Sequence, residues 1–379
     1  MGIYEQFLRS TFGCYKIRKM KRKVFGVLAC MGLTFLGHAK VLTVSNNVAS
    51  PGQYTVLQTA CDAAASNDTI YIHGSESSYG DVNITKPLVL IGTGVNAQKR
   101  FKFSSTIGNL GIVWNASTTQ NGGGSKIFGL DIKNLSINDS PGSVGIKNVL
   151  IQRNRIGYIS VSGYRVATNI NINNNVLGGA TINGKSVYLK NNVILGGVQG
   201  GEKDFVGTLV VAHNVIYSYC IMARASVYNN IFYSSSSEVF QNCQYTSITR
   251  NLVIGKINYT NANIVFGTNT GGENILNEDP LFVDVNTNLQ NYSYTEPTTG
   301  PFVDYHLSAG SPAIGAGIGG VDLGIYGGDT PFFEGTSEDG RNRYFPMPAI
   351  PVMLDMNIVN SSVLKNGKIK VEFKARKQD

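Results

Sequence analysis

YLKNNVILGG, residues 188–197, places two adjacent asparagines inside an otherwise apolar, β-like segment. Asparagine is disfavoured within strands because its amide competes for backbone hydrogen bonds. The interruption nevertheless recurs at separations of 16 to 22 residues, at Asn154, Asn175, Asn192, Asn214, Asn230 and Asn251. A period near 20 indicates a repeat architecture, in which one unit cannot bury its apolar face alone.

The residues around each repeated asparagine form aligned apolar columns. An aliphatic residue stands three positions before it and an apolar residue two positions after it, as Leu189 and Ile194 do around Asn192. These two positions lie five residues apart, so in one flat strand they would face opposite sides. The chain must therefore turn a corner at the asparagine for both to enter one core. Asparagine tolerates the left-handed backbone that such a corner needs, and stacked amides can pair along the axis.

The residues between the copies distinguish between two kinds of solenoid. A leucine-rich repeat of similar period would carry leucines in a helix-bearing unit. Here the linking residues are Gly, Ser, Asn and Tyr, with short β-like runs such as ATING (180–184) and YCIMA (219–223). These runs predict two or three short strands per turn. The sequence therefore predicts an all-β solenoid.

Segments at both ends of the repeat carry a family resemblance. YTVLQTACDAAASNDTIYI (54–72) contains an amphipathic stretch and the start of a first coil, while DPLFVD (279–284), DYHLSAGSPAIGAG (304–317) and VDLGIYGG (321–328) follow the last copy. The chain resembles the right-handed parallel β-helix proteins of the pectin-lyase-like superfamily, secreted bacterial type. That resemblance implies an N-terminal capping helix and places the later segments among the closing turns. It implies no single activity, because one fold hosts many functions.

Residues 1–39 have the layout of a signal region. Lys21, Arg22 and Lys23 precede the apolar run 24–36, and Gly37-His38-Ala39 supplies small residues, so a signal peptide is predicted at 20–39 and Met20 is an alternative start. The apolar run is short for a membrane span, although an anchor helix remains the alternative. The mature chain is predicted to have no membrane span and to be secreted or attached to the cell surface.

The rest of the chain divides into three predicted regions. Residues 40–330 form the β-helix domain, and 331–352 form a proline-containing connector. Residues 353–379 predict two final strands joined at Asn366-Gly367, a small β-hairpin or cap.

The net charge of +8 belongs to the two ends of the chain. Residues 1–39 carry +6 and residues 361–379 carry +4, which leaves −2 on residues 40–360. A nucleic-acid surface would require a basic patch on the folded domain, so this partner is excluded. The oligomeric state is left open.

Three cysteines remain after the signal region, namely Cys61, Cys220 and Cys243. An odd number cannot complete a disulfide framework. A Cys220–Cys243 bridge and buried free thiols are the two alternatives, and the second is favoured.

The outward positions of the predicted strands are hydroxyls, amides and phenols. Tyr158, Gln199, Tyr219 and Gln241 are predicted to bind polysaccharide or glycan, because tyrosine offers an apolar ring face with a polar tip.

Uronate elimination needs a base and a positive group, and hydrolysis needs two carboxyl groups about 5 to 10 Å apart. No carboxylate column is present in the repeat. The sequence therefore favours a binding or adhesin-like scaffold, with a polysaccharide lyase or glycoside hydrolase as the alternative.

Charged candidates for catalysis lie at the loops. The excursion VQGGEKDFVGT (198–208) holds Lys203 as a candidate base and Asp204 as a candidate acid, and Arg224 and Glu238 lie at strand ends where they could pair. A solvated surface loop and solvated ion pairs are the competing interpretations. His213 directly precedes the repeated asparagine Asn214, so its position in the repeat accounts for it without a catalytic role.

The sequence predicts no cofactor and no metal site. No His or Cys spacing suggests zinc. Residues 277–279, Asn-Glu-Asp, provide an acidic loop for Ca²⁺ as an alternative, but the repeat lacks a regular Asp-bearing nonapeptide.

Overall fold

The computed structural model of the protein describes residues 39–94 except 49, 103–138 except 116–118, 145–162, 167–201, 207–256, 267–284 and 304–332. It also describes the strands at 334–336, 342–344, 352–358 and 371–376. The predicted signal region, apart from Ala39, and most of the predicted connector lie outside these ranges.

Parallel strands stacked turn upon turn form the fold, and each turn of the solenoid is called a rung below. The strands before the corners form sheet one, with eleven members among the described residues. These are Val41–Val44, Thr69–Ile72, Val89–Ile91, Lys126–Phe128, Lys147–Gln152, Thr168–Asn173, Ser186–Lys190, Thr208–Ala212, Ala225–Tyr228, Ser247–Thr249 and Thr270–Gly272. The predicted all-β parallel solenoid is confirmed.

The strands after the corners form sheet two. In the described part of the chain it has fourteen members. They are Val82–Ile84, Thr106–Asn115, Gln120–Asn121, Asp131–Asn138, Arg155–Ser162, Val176–Leu177, Ala180–Ile182, Val193–Ile194, Val198–Gly200, Val215–Ile216, Cys220–Met222, Ile231–Glu238, Leu252–Lys256 and Ile275–Leu276. Some rungs cross this sheet as one long strand, and others as two short strands separated by a bend. The bend contains glycines in two of these rungs and Tyr217-Ser218-Tyr219 in a third, and it accounts for the two or three strands per turn.

A short helix, Leu57–Ala63, packs against the first strands of the solenoid. Leu57, Ala60 and Cys61 form its buried face. It lies within the amphipathic stretch from which a capping helix was predicted. No helix in the described ranges combines the length and apolar character needed to cross a bilayer.

Within sheet two, Gln120–Asn121 pairs antiparallel with the end of Thr106–Asn115, and the remaining described strands also pair antiparallel. Phe282–Asp284 pairs with Asp304–Leu307, Glu334–Thr336 with Asn342–Tyr344, and Val352–Ile358 with Val371–Arg376. The last pair is the predicted C-terminal β element. Its predicted Asn-Gly turn lies outside the described residues.

The repeated asparagines form a buried ladder at the corner between the two sheets. The six predicted members are fully buried, and Asn274 continues the column at 4% exposure. The Nδ2 of Asn214 donates to the carbonyl oxygens of Ala212 and Leu189 and to the Oδ1 of Asn230, at 2.8 to 3.0 Å. Its Oδ1 accepts from the backbone N–H and the Nδ2 of Asn192. The same bonds recur from rung to rung, so each amide joins its own corner to both neighbours.

The left-handed conformation falls one residue before each ladder asparagine. The prediction that the ladder asparagine itself adopts it is wrong in position. The residues concerned have φ between +51° and +61° and are Arg153, Asn174, Asn191, His213, Asn229, Arg250 and Glu273. The left-handed residue reverses the chain direction, and the asparagine after it then points inward. We call these seven positions the corner column.

Residues 304–332, called the strap, run along the outside of the corner. They were expected to form closing turns of the solenoid, but they cross earlier rungs instead. Five strap side chains and four corner-strand side chains form a second apolar core: Tyr305, Ala313, Leu323, Ile325 and Phe332 with Val193, Val215, Ile231 and Leu252. The outward residue directly after each ladder asparagine is apolar in these rungs, so the uncovered corner would expose a hydrophobic ridge.

Side chains of the corner column hold the strap backbone. Asn191 Nδ2 donates to the carbonyl oxygens of Ile325 and Gly327 at 2.9 and 2.7 Å. Asn174 Nδ2 donates to the carbonyl oxygen of Thr330 at 3.0 Å. The rung of Asn174 precedes the rung of Asn191. The strap is therefore fixed by polar contacts in successive rungs in addition to its apolar core.

We expect Asn214→Ala to destabilise the protein by roughly 3 kcal/mol or more. The change leaves carbonyl groups on two rungs and the Asn192 N–H buried without partners, and each such group costs about 1–3 kcal/mol. Urea unfolding followed by circular dichroism measures the loss. Asn134→Ala is the matched control, since Asn134 is exposed and its amide donates to Asn109 alone; its effect should stay within about 0.5 kcal/mol. Equal stability of the two variants would contradict the role of the ladder.

Candidate functional site

The exposed face of sheet two carries two neighbouring columns of outward side chains, which we call the polar strip. The strand registers place Asp81, Asn109, Asn134, Tyr158, Gly179, Gly197 and Tyr219 in the first column. The second contains Asn83, Gly111, Ser136, Ser160, Thr181, Gln199 and Ile221. Rungs are about 4.8 Å apart, so the first column extends over roughly 29 Å.

Two tyrosines lean toward each other over glycines in this strip. A Cβ placed on Gly179 would lie 3.1 Å from Cε2 of Tyr158, and one placed on Gly197 would lie 2.7 Å from Cζ of Tyr219. Gly179 and Gly197 belong to adjacent rungs. The rings therefore occupy the space that side chains at the two glycines would fill. Tyr158 remains 41% exposed, and Tyr219 is partly exposed.

The hydroxyl ends of both rings are held by the second column. Tyr158 Oη lies 2.6 Å from Thr181 Oγ1, and Gln199 Nε2 donates to Tyr219 Oη at 3.3 Å. Thr181 and Gln199 are partners in adjacent strands. The predicted residues Tyr158, Gln199 and Tyr219 thus come together, and Thr181 joins them.

A cavity of about 340 Å³ opens beside this group. Its described lining includes Thr181, Asn183, Gln199, Ile221, Asn242 and Gln244, and none of the described lining residues has an ionisable side chain. Amides supply both donors and acceptors, so the cavity can match a ligand rich in hydroxyl groups without a charge. It lies within the size range typical of small-ligand sites.

Gln241 belongs to the rung after Ile221, because Cys220 and Phe240 form a bridge between those rungs. Its Nε2 donates to the carbonyl oxygen of Glu238 at 2.9 Å. That bond occupies part of its amide, so Gln241 lies at the margin of the site.

The four catalytic candidates differ in placement. Lys203 and Asp204 lie outside the described residues, although Gly201, two positions before Lys203 in the sequence, lines the cavity. The Arg224 guanidinium lies 5.0 Å from the centre of the Tyr245 ring, a cation–π contact. Glu238 ends its strand in register with Lys256.

One carboxylate lies in the first column of the polar strip, at Asp81. Asn109 donates to it from both its side chain and its backbone, and these hydrogen bonds lower the pKa of Asp81. Three rungs separate Asp81 from Tyr158, a distance of about 14 Å. Within the described columns no second carboxylate stands near enough to form the pair that hydrolysis requires.

The three cysteines of the described chain are free, buried thiols. Burial raises the pKa of Cys61 to about 12 and that of Cys243 to about 11, and it raises the pKa of Cys220 well above the usual value. Buried thiols of this kind are poor nucleophiles because the thiolate is disfavoured. The bridge considered between Cys220 and Cys243 is not formed.

Sequence reasoning missed the glycines beneath the rings and the cavity amides Asn183, Asn242 and Gln244. Gly179 lies in the bend between the short strands Val176–Leu177 and Ala180–Ile182. Its signal in the sequence is the alignment of glycines with tyrosines at one position of the repeat.

Among the described residues, no group of three or more His, Cys, Asp or Glu side chains lies close enough together to hold a metal ion.

No model of a known protein family matches the chain, and no curated protein matches it.

His213 is a buried titratable group at the contact between the corner column and the strap. Its Nε2 lies 3.1 Å from Nδ2 of Asn229, whose Oδ1 accepts the backbone N–H of Ile318. That strap N–H fixes the orientation of the Asn229 amide, so Nε2 acts as the acceptor and the imidazole is neutral. The ring packs against Gly327 and Gly328, where added side chains would collide with it.

Burial, followed by the nearby Lys190 charge, lowers the pKa of His213 to about 4 from 6.5. The Asp329 charge and backbone groups of Gly324 and Asp322 act in the opposite direction. Because the folded-state pKa is depressed, the stabilisation is complete above pH 6.5 and is lost as the pH falls toward 4. Protonation places a donor against the Asn229 Nδ2 and opposes the Ile318 contact.

We expect acidification from pH 7 to 4 to remove roughly 3 kcal/mol of stability through His213. His213→Asn introduces the residue found at Asn174, Asn191 and Asn229 and removes this proton-binding site. Urea unfolding of both proteins at intervals between pH 7 and 4 measures the difference. The wild-type curve should fall more steeply below pH 6.5; parallel curves would show that His213 does not control the acid response.

Proposed function

We propose that the protein is a secreted or cell-surface scaffold that binds polysaccharide or glycan along the polar strip. The observation that carries the proposal is the pair of outward tyrosines, Tyr158 and the partly exposed Tyr219, with their hydroxyls held by Thr181 and Gln199. The resemblance to secreted pectin-lyase-like β-helix proteins and the predicted signal region support export.

Aromatic rings and neutral amides suit the two sides of a sugar. The apolar face formed by the C–H groups of a pyranose can lie on a ring, while its hydroxyls exchange hydrogen bonds with Asn, Gln and Thr. Several rungs repeat these groups along the sheet. A polymer can therefore gain affinity from many weak contacts at a regular spacing, whereas a compact ligand makes only a few such contacts.

An enzymatic alternative is a polysaccharide lyase or glycoside hydrolase with catalytic groups on the loop. It is favoured by the position of Gly201, which lines the cavity and lies two positions before Lys203 in the sequence. In this alternative Lys203 acts as a base or Asp204 as an acid on a sugar bound at the cavity.

We expect the exported protein to bind at least one polysaccharide in a panel of neutral and uronic polymers. Tyr219→Ala should weaken that binding about fivefold, since loss of a ring contact is worth about 1 kcal/mol. Isothermal titration calorimetry measures the affinity. Tyr188→Ala is the matched control because Tyr188 faces outward on sheet one. Wild-type affinity in the Tyr219→Ala variant, or no binding across the panel, would refute the proposal.

Product analysis of the same incubations separates binding from catalysis. Reducing ends would indicate hydrolysis, and unsaturated ends would indicate elimination. The scaffold proposal predicts neither. Turnover that disappears in Lys203→Ala or Asp204→Ala would establish the enzymatic alternative.

A further inference from the structure

The polar strip changes character at two adjacent rungs. The first column carries amides at Asn109 and Asn134, then Tyr158, and then glycines at 179 and 197 before Tyr219. The two glycines leave space that the flanking rings occupy from opposite directions. A Cβ at Gly197 would require the Tyr219 ring to move, and a Cβ at Gly179 would require the Tyr158 ring to shift by a few tenths of an ångström.

We infer that Gly179 and Gly197 are specificity-determining positions that form a two-ring platform for consecutive, uncharged, equatorially linked pyranoses. This inference rests on the proposed glycan-binding function and names its ligand class. The two glycines act through the tyrosines and are positioning residues, since neither has a side chain to contact a sugar.

The spacing of the platform sets the geometry of the ligand. Adjacent rungs are about 4.8 Å apart, which is about the length of one pyranose unit. Rings that lie over adjacent rungs can therefore each receive one of two successive sugars. An equatorially linked chain is a flat ribbon whose successive units present apolar faces to one plane. An axially linked chain curves away from that plane and reaches one ring.

The charge of the surroundings sets the second part of the specificity. Thr181 and Gln199 hold the ring hydroxyls, and the described lining of the adjacent cavity is uncharged. A uronate would bring a carboxylate to this surface with no described cation in the platform or cavity lining to balance it. Removing a charge from water without such a partner is unfavourable. A neutral glycan keeps the ring contacts without this cost.

The hydrogen bonds at the ring tips explain why the platform is preorganised. Each tyrosine hydroxyl has a partner in the neighbouring column, so the ring is fixed at both ends before a ligand arrives. Less side-chain freedom is then lost on binding. Alanine at Gly197 would place its Cβ 2.7 Å from Tyr219 Cζ, and the ring would have to move away from the sheet.

The test compares cellotetraose, maltotetraose and tetragalacturonate by isothermal titration calorimetry with the wild type, Gly179→Ala, Gly197→Ala, Gly111→Ala and Tyr188→Ala. Gly111→Ala is the matched control for stability, because its added Cβ would meet mainly the flexible Asn83 side chain. Tyr188→Ala is the control for binding, because Tyr188 faces outward on sheet one, outside the polar strip. We expect cellotetraose to bind at least tenfold more tightly than the other two, both platform variants to lose affinity for it, Gly197→Ala by at least fivefold, and Tyr188→Ala to keep wild-type affinity.

Saturation-transfer NMR provides a readout that reduced folding alone would not change. In the wild type, transfer should concentrate on the C–H protons of two consecutive sugar units; in Gly197→Ala it should fall on one of them while the melting temperature stays close to that of Gly111→Ala. If a glycan binds but the platform variants behave as Tyr188→Ala, the glycine inference is overturned and the proposed function stands. Stronger binding of tetragalacturonate overturns the ligand class, and absence of binding to every glycan overturns the proposed function itself.

Discussion

The structure depends on satisfying a buried amide at every corner. Each ladder asparagine has two N–H donors and an acceptor oxygen, and all are used within its own rung and the two adjacent ones. Asp would replace the donors with a charge, and Ala would leave carbonyl groups unpaired. The ladder therefore couples the hydrogen bonding of each corner to the register of the stack, since a rung displaced by one residue would lose bonds on both sides.

The corner also determines the architecture outside the core. Because the left-handed residue comes immediately before the ladder asparagine, its side chain is directed away from the core, where Asn191 and Asn229 hold the strap. The residues just after the ladder asparagine supply the apolar half of the same contact. In two earlier rungs, Asp131 and Arg155 occupy the position that directly follows the corner, and they form a buried ion pair. One local bend thus positions a dry core on one side and a mixed polar and apolar docking surface on the other.

The sequence predicts the features that repeat and misses those that depend on lateral contacts. The asparagine period identifies the solenoid, the corner and the inward columns, since all three follow from alternation and spacing. The strap is not apparent because its residues lack the period and its contact with His213 joins positions more than 100 residues apart. In the site, Tyr158, Gln199 and Tyr219 are found from outward parity. Gly179 and Gly197 are missed because a glycine in a bend has the same sequence appearance whether it serves the backbone or makes room for a neighbouring ring.

The regular stack supports the proposed binding function for a physical reason. Rungs repeat neutral hydrogen-bonding groups at a constant spacing of about 4.8 Å, so they offer an extended ligand similar partners along its length. Catalysis instead requires convergence of unlike groups at one reacting atom. Asp81, about 14 Å from Tyr158, does not provide such convergence in the described columns. In the proposed glycan-binding function, specificity arises where the repeat is broken, and in the polar strip this is the pair of glycines that lets two rings lie against the sheet.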